Sequence, residues 1–302
     1  MIEERFLHVP KCFVARISRM RFFSRFIVTV LALTTSVAAS TQVFAQDWNM
    51  SALESAYDDF AGYLEEMGEF SPDDWQYRIG AAVGTVPDFS GSDQYETKGL
   101  PIFQIRYKDD VWIDPLGVRV KVWSTDCCRL LAQAGLATGR RSDKDSRVFQ
   151  LPDVSAGANV GFTFEGQIAK FFAFRLKARQ EIAGGHGGTG LAASFGTIIR
   201  TGMVRVIPEI GTEWKSNKYM DAYYGVPASA TAATGYAAYD PSGGFEDVAF
   251  RLTSFYDIDE QWQLIMRGEA KLMLKEAKNA PFVVQDGDSF QGLFGVGVLY
   301  TF

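Results

Sequence analysis

The end of the chain, residues 290–302, alternates between large apolar side chains and small or polar ones. Counted back from the C-terminus, the apolar register holds Phe302, Tyr300, Val298, Val296 and Phe294. Successive side chains of a β-strand point to opposite faces, so a period of two predicts a strand with one apolar face. Such a strand fits either the edge of a soluble β-sandwich or the wall of a membrane barrel whose apolar face meets lipid.

Similar alternation runs upstream to Trp75 and favours the membrane barrel. Strand after strand, one register is apolar and the other holds charged residues or glycine. Inward-facing charges are predicted at Arg78, Arg106, Arg175, Arg179, Arg205, Glu209, Arg267 and Glu269. Aromatic residues that suit an interfacial girdle end the apolar register at Trp75, Tyr107, Trp214, Tyr256, Trp262, Tyr300 and Phe302. A terminal strand that stops on Phe is typical of bacterial outer-membrane barrels, so Val298, Tyr300 and Phe302 are interpreted as a barrel-insertion signal.

The predicted fold is all-β: a closed antiparallel transmembrane β-barrel of about twelve strands. Backbone polar groups in lipid must all be paired, so the sheet has to close. Short and long connections alternate, with a short turn predicted at 165–167 and long loops at 220–244 and 276–289. The strand number depends on segment 111–123. Splitting this segment at Pro115, which would interrupt a ladder, gives twelve strands, and ten or fourteen remain alternatives.

Residues 1–45 are predicted to be a signal peptide that is removed after export through the inner membrane. Four arginines between Arg16 and Arg25 precede the apolar run 26–33, and small residues favour cleavage after Ala45. An uncleaved membrane anchor is the alternative. Cleavage removes six basic and two acidic residues, so the net charge changes from −6 to −10. A chain this acidic is not expected to bind nucleic acid.

Residues 46–74 form an acidic segment without lysine or arginine. Apolar residues recur in it at helical spacing: Leu53, Ala56, Tyr57, Phe60, Leu64 and Met67. We interpret it as a short periplasmic leader helix, which either docks at the barrel or plugs the lumen. A loosely ordered leader fits the composition equally well. The predicted organisation is therefore a signal peptide (1–45), an acidic leader (46–74) and an outer-membrane barrel (75–302).

No set of residues points to catalysis, and neither a cofactor nor a metal site is expected. His186 could act as the base of a lipid hydrolase, but no Gly-x-Ser-x-Gly elbow accompanies it, so a solvated loop histidine is favoured. Cys127 and Cys128 lack metal-ligand spacing and fit either a strained disulfide or two thiols in a turn. The inward charges fit either an anion-leaning pore or a lumen closed by salt bridges.

Several motifs resemble those of the MipA/OmpV family. Segment 80–93 reads GAAVGTVPDFSGSD and is similar to the opening motif of that family. The segments Tyr223-Tyr224-Gly225-Val226 and Ala280-Pro281 resemble later family motifs, and the resemblance covers about residues 75–302. The chain departs from the family pattern at 233–236 and at Phe89, where a tyrosine is usual.

The resemblance implies a non-enzymatic β-barrel of the cell outer membrane of Gram-negative type. It also implies a scaffold for murein-remodelling enzymes, with a lytic transglycosylase and a murein synthase as partners. A porin-like channel for small solutes or a surface adhesin is the alternative. Outer-membrane lipid, lipopolysaccharide and the barrel-assembly machinery are the other partners expected of such a protein.

Overall fold

The computed structural model describes residues 75–137, 139–140, 147–169 and 172–302. The predicted signal peptide with its cleavage after Ala45 and the acidic leader 46–74 lie outside these described residues. Within the described part, thirteen strands are joined by turns, loops and short helices. None of these helices is long and apolar enough to cross a membrane.

Strands make up most of the described chain. They are β1 (Trp75–Pro87), β2 (Tyr95–Tyr107), β3 (Val111–Asp114), β4 (Gly117–Ser124), β5 (Cys128–Ala137), β6 (Gly157–Ala169), β7 (Phe172–Gly184), β8 (Thr189–Gly196), β9 (Ile199–Thr201), β10 (Val204–Lys215), β11 (Gly244–Asp257), β12 (Trp262–Met273) and β13 (Phe290–Thr301). The α-helices are α1 (Asn217–Tyr224), α2 (Thr231–Thr234), α3 (Lys275–Lys278) and α4 (Pro281–Asp286), and two 3-10 helices cover Arg147–Gln150 and Ala228–Ala230. The described helices all lie in the connections after β5, β10 and β12.

The strands form one antiparallel sheet that closes on itself. Strands β1 to β8 pair in chain order, and the ring closes through β13, which pairs with β1. Strands β8 and β9 both pair with β10 in one register, so they are two parts of a single wall strand. The interruption at Thr197 and Ile198 faces Pro208, which has no N–H to donate to the ladder. The barrel therefore has twelve wall strands plus this one extra segment, in agreement with the sequence prediction.

The connections alternate between the two ends of the barrel. We call the end with the short turns, where β1 begins and β13 finishes, the turn end. The opposite end carries the connections 216–243 and 274–289, and we call it the loop end. The split of segment 111–123 is confirmed, because β3 stops at Asp114 and β4 starts at Gly117. The turn predicted at 165–167 is wrong: Glu165 and Gly166 pair with both β5 and β7, Gln167 pairs with β7, and β6 continues to Ala169.

The two faces of the wall differ sharply in character. On β1, Trp75, Tyr77 and Ile79 point outward and are 46–54% exposed, whereas Arg78 points inward and is 8% exposed. A membrane barrel presents its apolar side chains to lipid and its polar side chains to the lumen. Outward-facing aromatic rings meet at the turn end, where the Trp262 and Tyr300 centroids are 4.9 Å apart. This is the arrangement of an interfacial girdle.

Strand β3 covers only the turn-end part of the edge of β2. Strand β3 pairs with β2 only at residues 105–107, because β3 and β4 turn back at 114–117, well below the loop end. Among the residues that the structure describes, no strand pairs with this edge of β2 between 95 and 104. We call the resulting lateral gap the notch. Its borders are the edge of β2 at 95–104, the turn between β3 and β4, and the upper end of β5.

The long connections pack into an apolar cap over the loop end. Its buried residues are Phe89, Val148, Leu151, Met220, Tyr224, Val226, Ala230, Tyr236, Met273, Ala277, Ala280, Phe282 and Val283. The Phe282 ring lies 5.9 Å from Phe89, 6.3 Å from Tyr224 and 6.2 Å from Tyr236, measured between centroids. These rings come from three different connections, so the cap joins loops that are remote in sequence.

Candidate functional site

The candidate site is the interior of the barrel together with the cap above it. The structure places the eight charged residues singled out in the sequence on the inward-facing register: Arg78, Arg106, Arg175, Arg179, Arg205, Glu209, Arg267 and Glu269. Most of these side chains are buried, with at most 8% exposure for Arg78, Arg106, Arg175, Glu209 and Arg267. Their surroundings are therefore protein atoms rather than open solvent.

Arg251 lies at the centre of the main ion-pair cluster. One of its Nη atoms is 3.2 Å from Glu209 Oε1, and its Nε is 2.9 Å from Glu269 Oε2. Arg267 lies 3.3 Å from the same Glu269 oxygen. These side chains come from β10, β11 and β12 and are 5–8% exposed. Buried charges are tolerated only when they are well paired, so the cluster ties three neighbouring strands together on the inner face of the wall.

The sequence reasoning missed Arg251. Strand β11 was not among the segments whose alternation was followed, although Phe250 and Leu252 flank the arginine and both are exposed on the outer face. The same period-two signal would therefore have identified this inward charge.

A second group of ion pairs occupies the half of the lumen nearer the turn end. The Glu165 carboxylate accepts hydrogen bonds from Arg175, at 2.8 Å, and from Arg129. Arg119 lies 2.8 Å from Asp114 at the tip of the β3–β4 hairpin. Cations outnumber acids in this half, and the acids sit between them.

A β-bulge in β11 places Glu246 and Asp247 side by side in the lumen, with exposures of 6% and 3%. Lys215 lies 2.5 Å from Glu213 and 3.6 Å from Glu246, and Lys271 lies 3.8 Å from Asp247. A period of two puts only one of two successive residues inside, so this pair could not be read from the alternation. The bulge supplies the extra inward residue.

An apolar layer lines the lumen along β2 and β10 to β13. It consists of Ile102, Ile207, Phe255, Ile265 and Leu299, which are at most 3% exposed. Leu116, at the turn of the β3–β4 hairpin, packs against the layer. Side chains that line a water-filled channel would be accessible to solvent, so these five side chains pack against protein atoms rather than line open water. The layer was also missed, although successive apolar residues such as Leu264 and Ile265 break the alternation there.

A cavity of about 120 Å³ lies between the ion pairs and the cap. His186 borders it, and the Tyr219 and Tyr223 rings stand edge-on to the imidazole at 4.9 and 5.3 Å. The Gly188 N–H donates to His186 Nδ1 at 2.9 Å, which only a neutral imidazole accepts. Glu181 Oε2 lies 3.1 Å from the same nitrogen and favours protonation, yet burial is the larger effect and lowers the His186 pKa.

This arrangement gives His186 a structural role in its loop. Glu181 Oε2 also accepts the backbone N–H groups of His186 and Gly187, so the carboxylate holds the loop. Among the described residues, the contacts of the imidazole are with Glu181, Gly188, Tyr219 and Tyr223, and none of these is a serine. Within the same part of the chain, no group of three His, Cys, Asp or Glu residues is placed to hold a metal ion.

Tyr224 connects the cap to the barrel wall. Its hydroxyl donates to Glu246 Oε1 at 2.5 Å and lies 2.9 Å from Ser90 Oγ. Burial, followed by the nearby Glu246 carboxylate, raises the pKa of Tyr224 well above its usual value. The phenol therefore stays protonated and remains a donor, which fixes α1 over the lumen.

The predicted insertion signal lies at the turn end of the closing strand. Val298 and Tyr300 face outward and pair with Ala81 and Ile79 of β1. The backbone N–H of Phe302 donates to the backbone carbonyl of Tyr77 at 3.0 Å. Recognition of these residues by an assembly machinery stays a prediction. At the same end of the barrel, the sulfur atoms of Cys127 and Cys128 are 3.0 Å apart, farther than the ~2.05 Å of a disulfide bond.

Two curated relatives match over most of their length. The chain is 25% identical over 250 residues to the MltA-interacting proteins of Escherichia coli (strain K12) and of Shigella flexneri. In both cases the match covers 80% of this chain and 94% of the relative.

Solved structures similar to this one are outer-membrane barrels. The outer-membrane channel COG4313 from Pseudomonas putida F1 matches with a TM-score of 0.42 and 9% identity, over 78% of this chain and 97% of that one. The KdgM porin matches with a TM-score of 0.35 and 10% identity, over 76% and 98%.

A family model places the chain in one family. The model described as "MltA-interacting protein MipA" matches residues 79–302, which is nearly the whole of the barrel. This chain, an outer-membrane β-barrel, therefore belongs to the MipA family of MltA-interacting proteins.

Proposed function

We propose that this chain is a non-enzymatic scaffold that holds murein-remodelling enzymes at the periplasmic end of an outer-membrane barrel. Trp75 and Phe302, where the barrel begins and ends, lie at the turn end. Bacterial barrels of this type have their short turns in the periplasm and their long loops outside. We therefore assign the turn end to the periplasm and the cap to the cell exterior. Export through the inner membrane, with cleavage after Ala45, delivers the chain to this site.

The packed lumen is the observation that carries the proposal. A diffusion channel needs a continuous path lined by accessible side chains. Here the apolar layer and the ion pairs around Arg251 and Glu165 fill the barrel, and the cap covers its loop end. A barrel that is filled in this way supports a role in binding and positioning more than one in transport.

The periplasmic surface offers acidic side chains to a partner. Asp109 and Asp110, in the turn between β2 and β3, have side-chain exposures of 51% and 55%, although Lys121 lies 3.1 Å from each carboxylate. Asp126 and Glu260 are exposed in two other turns at this end. Complementary charge steers partners and fixes their orientation, so a basic patch on the partner is expected. The acidic leader 46–74, which joins the barrel at Trp75, has the same sign of charge.

A lytic transglycosylase is the proposed first partner. The relatives that share 25% identity with this chain carry the name "MltA-interacting protein", and the family resemblance also suggests a murein synthase. The partner class is thus inferred from relatives, whereas the binding surface is inferred from the exposed acids of this chain.

A pull-down from solubilised envelopes tests the proposal. We expect the tagged wild-type barrel to recover a lytic transglycosylase. The double variant Asp126→Lys, Glu260→Lys should lower recovery by roughly tenfold, or ~1.4 kcal/mol of binding free energy. The matched control Asp93→Lys, Asp240→Lys makes the same charge change on exposed loop-end residues and should bind like the wild type.

Three results would count against this proposal. Failure of a correctly folded wild-type barrel to recover any murein enzyme would remove the scaffold function. Equal loss of binding in both double variants would mean that net charge, rather than the periplasmic surface, determines recovery. Binding that survives in both variants would exclude these turns as the contact.

A further inference from the structure

Charged side chains from four strands surround the cavity of about 120 Å³ beneath the cap. Its acids come from β7, β10, β11 and β12: Glu181, Glu213, Glu246, Asp247 and Glu269. Its cations come from β7, β10 and β12: Arg179, Lys215 and Lys271. Buried charges need hydrogen bonds and partners of opposite sign, so the contacts of each group show where a ligand could still bind.

Asp247 is the acid that lacks hydrogen bonds. The other acids each accept a hydrogen bond from a side chain or a backbone N–H: Glu181, Glu213, Glu246 and Glu269. Among the residues that the structure describes, none donates to the Asp247 carboxylate, although the side chain is buried. Its Oδ2 lies 3.8 Å from Lys271 Nζ, which is too far for a hydrogen bond. The Asp247 carboxylate can therefore accept hydrogen bonds from a ligand.

Lys271 is the matching cation. The ammonium group of Lys215 is occupied, because it lies 2.5 Å from Glu213 and 4.5 Å from the centroid of the Tyr219 ring. Within the described part of the chain, Lys271 Nζ makes no hydrogen bond, and its ion pair is the one with Asp247. Yet 18% of the Lys271 side chain is accessible, so it borders open space. Its N–H groups are therefore available to an occupant of the cavity.

The two groups are neighbours on the inner face of the wall. Asp247 of β11 pairs with Met273 of β12, and Ala249 pairs with Lys271, so Asp247 and Lys271 are diagonal neighbours. Their opposite charges border the same cavity. A ligand that satisfies both has to accept hydrogen bonds from Lys271 and donate hydrogen bonds to Asp247.

A zwitterion meets both requirements. The carboxylate of an α-amino acid accepts hydrogen bonds from a lysine, and its ammonium group donates to an aspartate. Both groups are attached to one carbon atom, so they can reach two protein charges that lie side by side. Water also donates and accepts, but it carries no charge to pair with theirs. A ligand with a single charge leaves one of the two protein groups unsatisfied.

The volume of the cavity limits the size of the ligand. An engineered protein cavity of ~150 Å³ takes up benzene. Alanine has as many heavy atoms as benzene, and glycine has fewer, so both suit a cavity of about 120 Å³. On the cap side, His186 and the Tyr219 side chain border the space, which leaves no room for a long side chain.

We propose that the cavity binds a small zwitterionic amino acid of the size of glycine or alanine. The ammonium group of the ligand bonds to Asp247, and its carboxylate bonds to Lys271. His186 and Tyr219 lie over the bound molecule on the side of the cap. The site is separate from the turn-end surface that we assign to murein enzymes, so each can be tested without the other.

Isothermal titration calorimetry of the mature barrel in detergent micelles tests the proposal. The probes are glycine, alanine, propionate, which lacks the ammonium group, and ethylamine, which lacks the carboxylate. We expect glycine and alanine to bind. Propionate and ethylamine should bind roughly tenfold to a hundredfold more weakly than alanine, because each loses hydrogen bonds between charged groups. Since a ligand stabilises the state that binds it, alanine should also raise the urea midpoint of unfolding.

Two variants assign the charges of the ligand to their partners. In Asp247→Asn the ammonium group loses its partner, so alanine should no longer bind more tightly than propionate. In Lys271→Met alanine should no longer bind more tightly than ethylamine. The matched controls Asp240→Asn and Lys278→Met make the same changes at exposed loop-end residues and should bind like the wild type. Heat-modifiable mobility shows whether each variant is folded.

A filling variant keeps every charge and tests the site even if a charge variant fails to fold. Gly190 lines the cavity, and a Cβ there would meet Lys215 at 3.6 Å, an ordinary contact. Gly190→Val should weaken alanine binding by roughly tenfold or more, because its methyl groups take up space that the ligand needs. In the control Gly268→Val, the added Cβ meets nothing within 4 Å, and binding should not change.

The proposal fails if no probe produces heat or shifts the midpoint, because the cavity then holds water. Binding of propionate or ethylamine as tight as that of alanine would mean that the site recognises a single charge. Selectivity that survives in both charge variants would place the ligand elsewhere in the barrel. Binding that appears only after residues 46–74 are deleted would show that the leader occupies the cavity in the full mature chain.

Discussion

Single residues inside this barrel depend on partners from neighbouring strands. Arg251 of β11 contacts Glu209 of β10 and Glu269 of β12, and all three are nearly inaccessible to solvent. A carboxylate placed here without its cation would be buried in a medium that solvates it poorly. Loss of Arg251 is therefore expected to destabilise the barrel, because it would leave buried carboxylates without their cation.

Replacing Arg251 tests this directly. We expect Arg251→Met to lower the free energy of unfolding by about 3–5 kcal/mol, because Glu209 loses a buried cation. Urea denaturation of the barrel refolded into lipid vesicles measures the change. The double variant Arg251→Met, Glu209→Gln removes the charge left behind and should recover part of the loss. If the single variant were as stable as the wild type, water would have to reach this part of the lumen.

Strand β1 meets β13 along a seam that depends on close approach of the two backbones. Gly80 faces Leu299, and a Cβ added to this glycine would lie 2.1 Å from Val298 O and 2.7 Å from Leu299 Cδ2. The first contact is with backbone and cannot be relieved by a rotamer change. Because this seam closes the barrel, a side chain that prevents the close approach of β1 and β13 would hinder closure of the whole ring.

A valine at this position should hinder closure. We expect Gly80→Val to cost about 3 kcal/mol or more through overpacking, and so to reduce the folded fraction. Heat-modifiable mobility on gels, which distinguishes folded from unfolded barrel, gives the measurement. The control Gly268→Val adds the same side chain where a Cβ meets nothing within 4 Å, and it should fold like the wild type. Normal folding of Gly80→Val would show that the seam can shift to accept a side chain.

The part of the molecule that the structure describes is a barrel with a filled interior and a covered loop end. The apolar layer and the ion pairs occupy the lumen, and the cap covers its loop end. Exchange along the axis is therefore not expected.

Single-channel recording checks this description. Purified, refolded mature protein in a planar bilayer should show no steady conductance, because no accessible path crosses the apolar layer. A steady conductance would instead favour the porin-like alternative. The same recording after deletion of residues 46–74 tests the leader, since conductance in that variant alone would make the leader a plug. Heat-modifiable mobility confirms in each case that the barrel is intact.

Much of the architecture could be predicted because its signals are local. Side-chain alternation depends only on the pleat of a strand, so it revealed the all-β class, the outward face and inward positions such as Arg78 and Glu209. Pro115 fixed the split that gives twelve strands. The turn predicted at 165–167 was misplaced, because pairing with neighbouring strands keeps these residues in the ladder.

The sequence by itself therefore determined the closed barrel, its strand number and its family. Only the tertiary structure decided how the interior is occupied. Which inward residues meet across the lumen depends on the register between strands, and a bulge such as the one at Glu246 changes that register without a trace in the alternation. The short β3–β4 hairpin likewise forms the border of the notch only because β2 beside it continues to the loop end. These features depend on which strands lie side by side and in which register. Closure of the ring sets both.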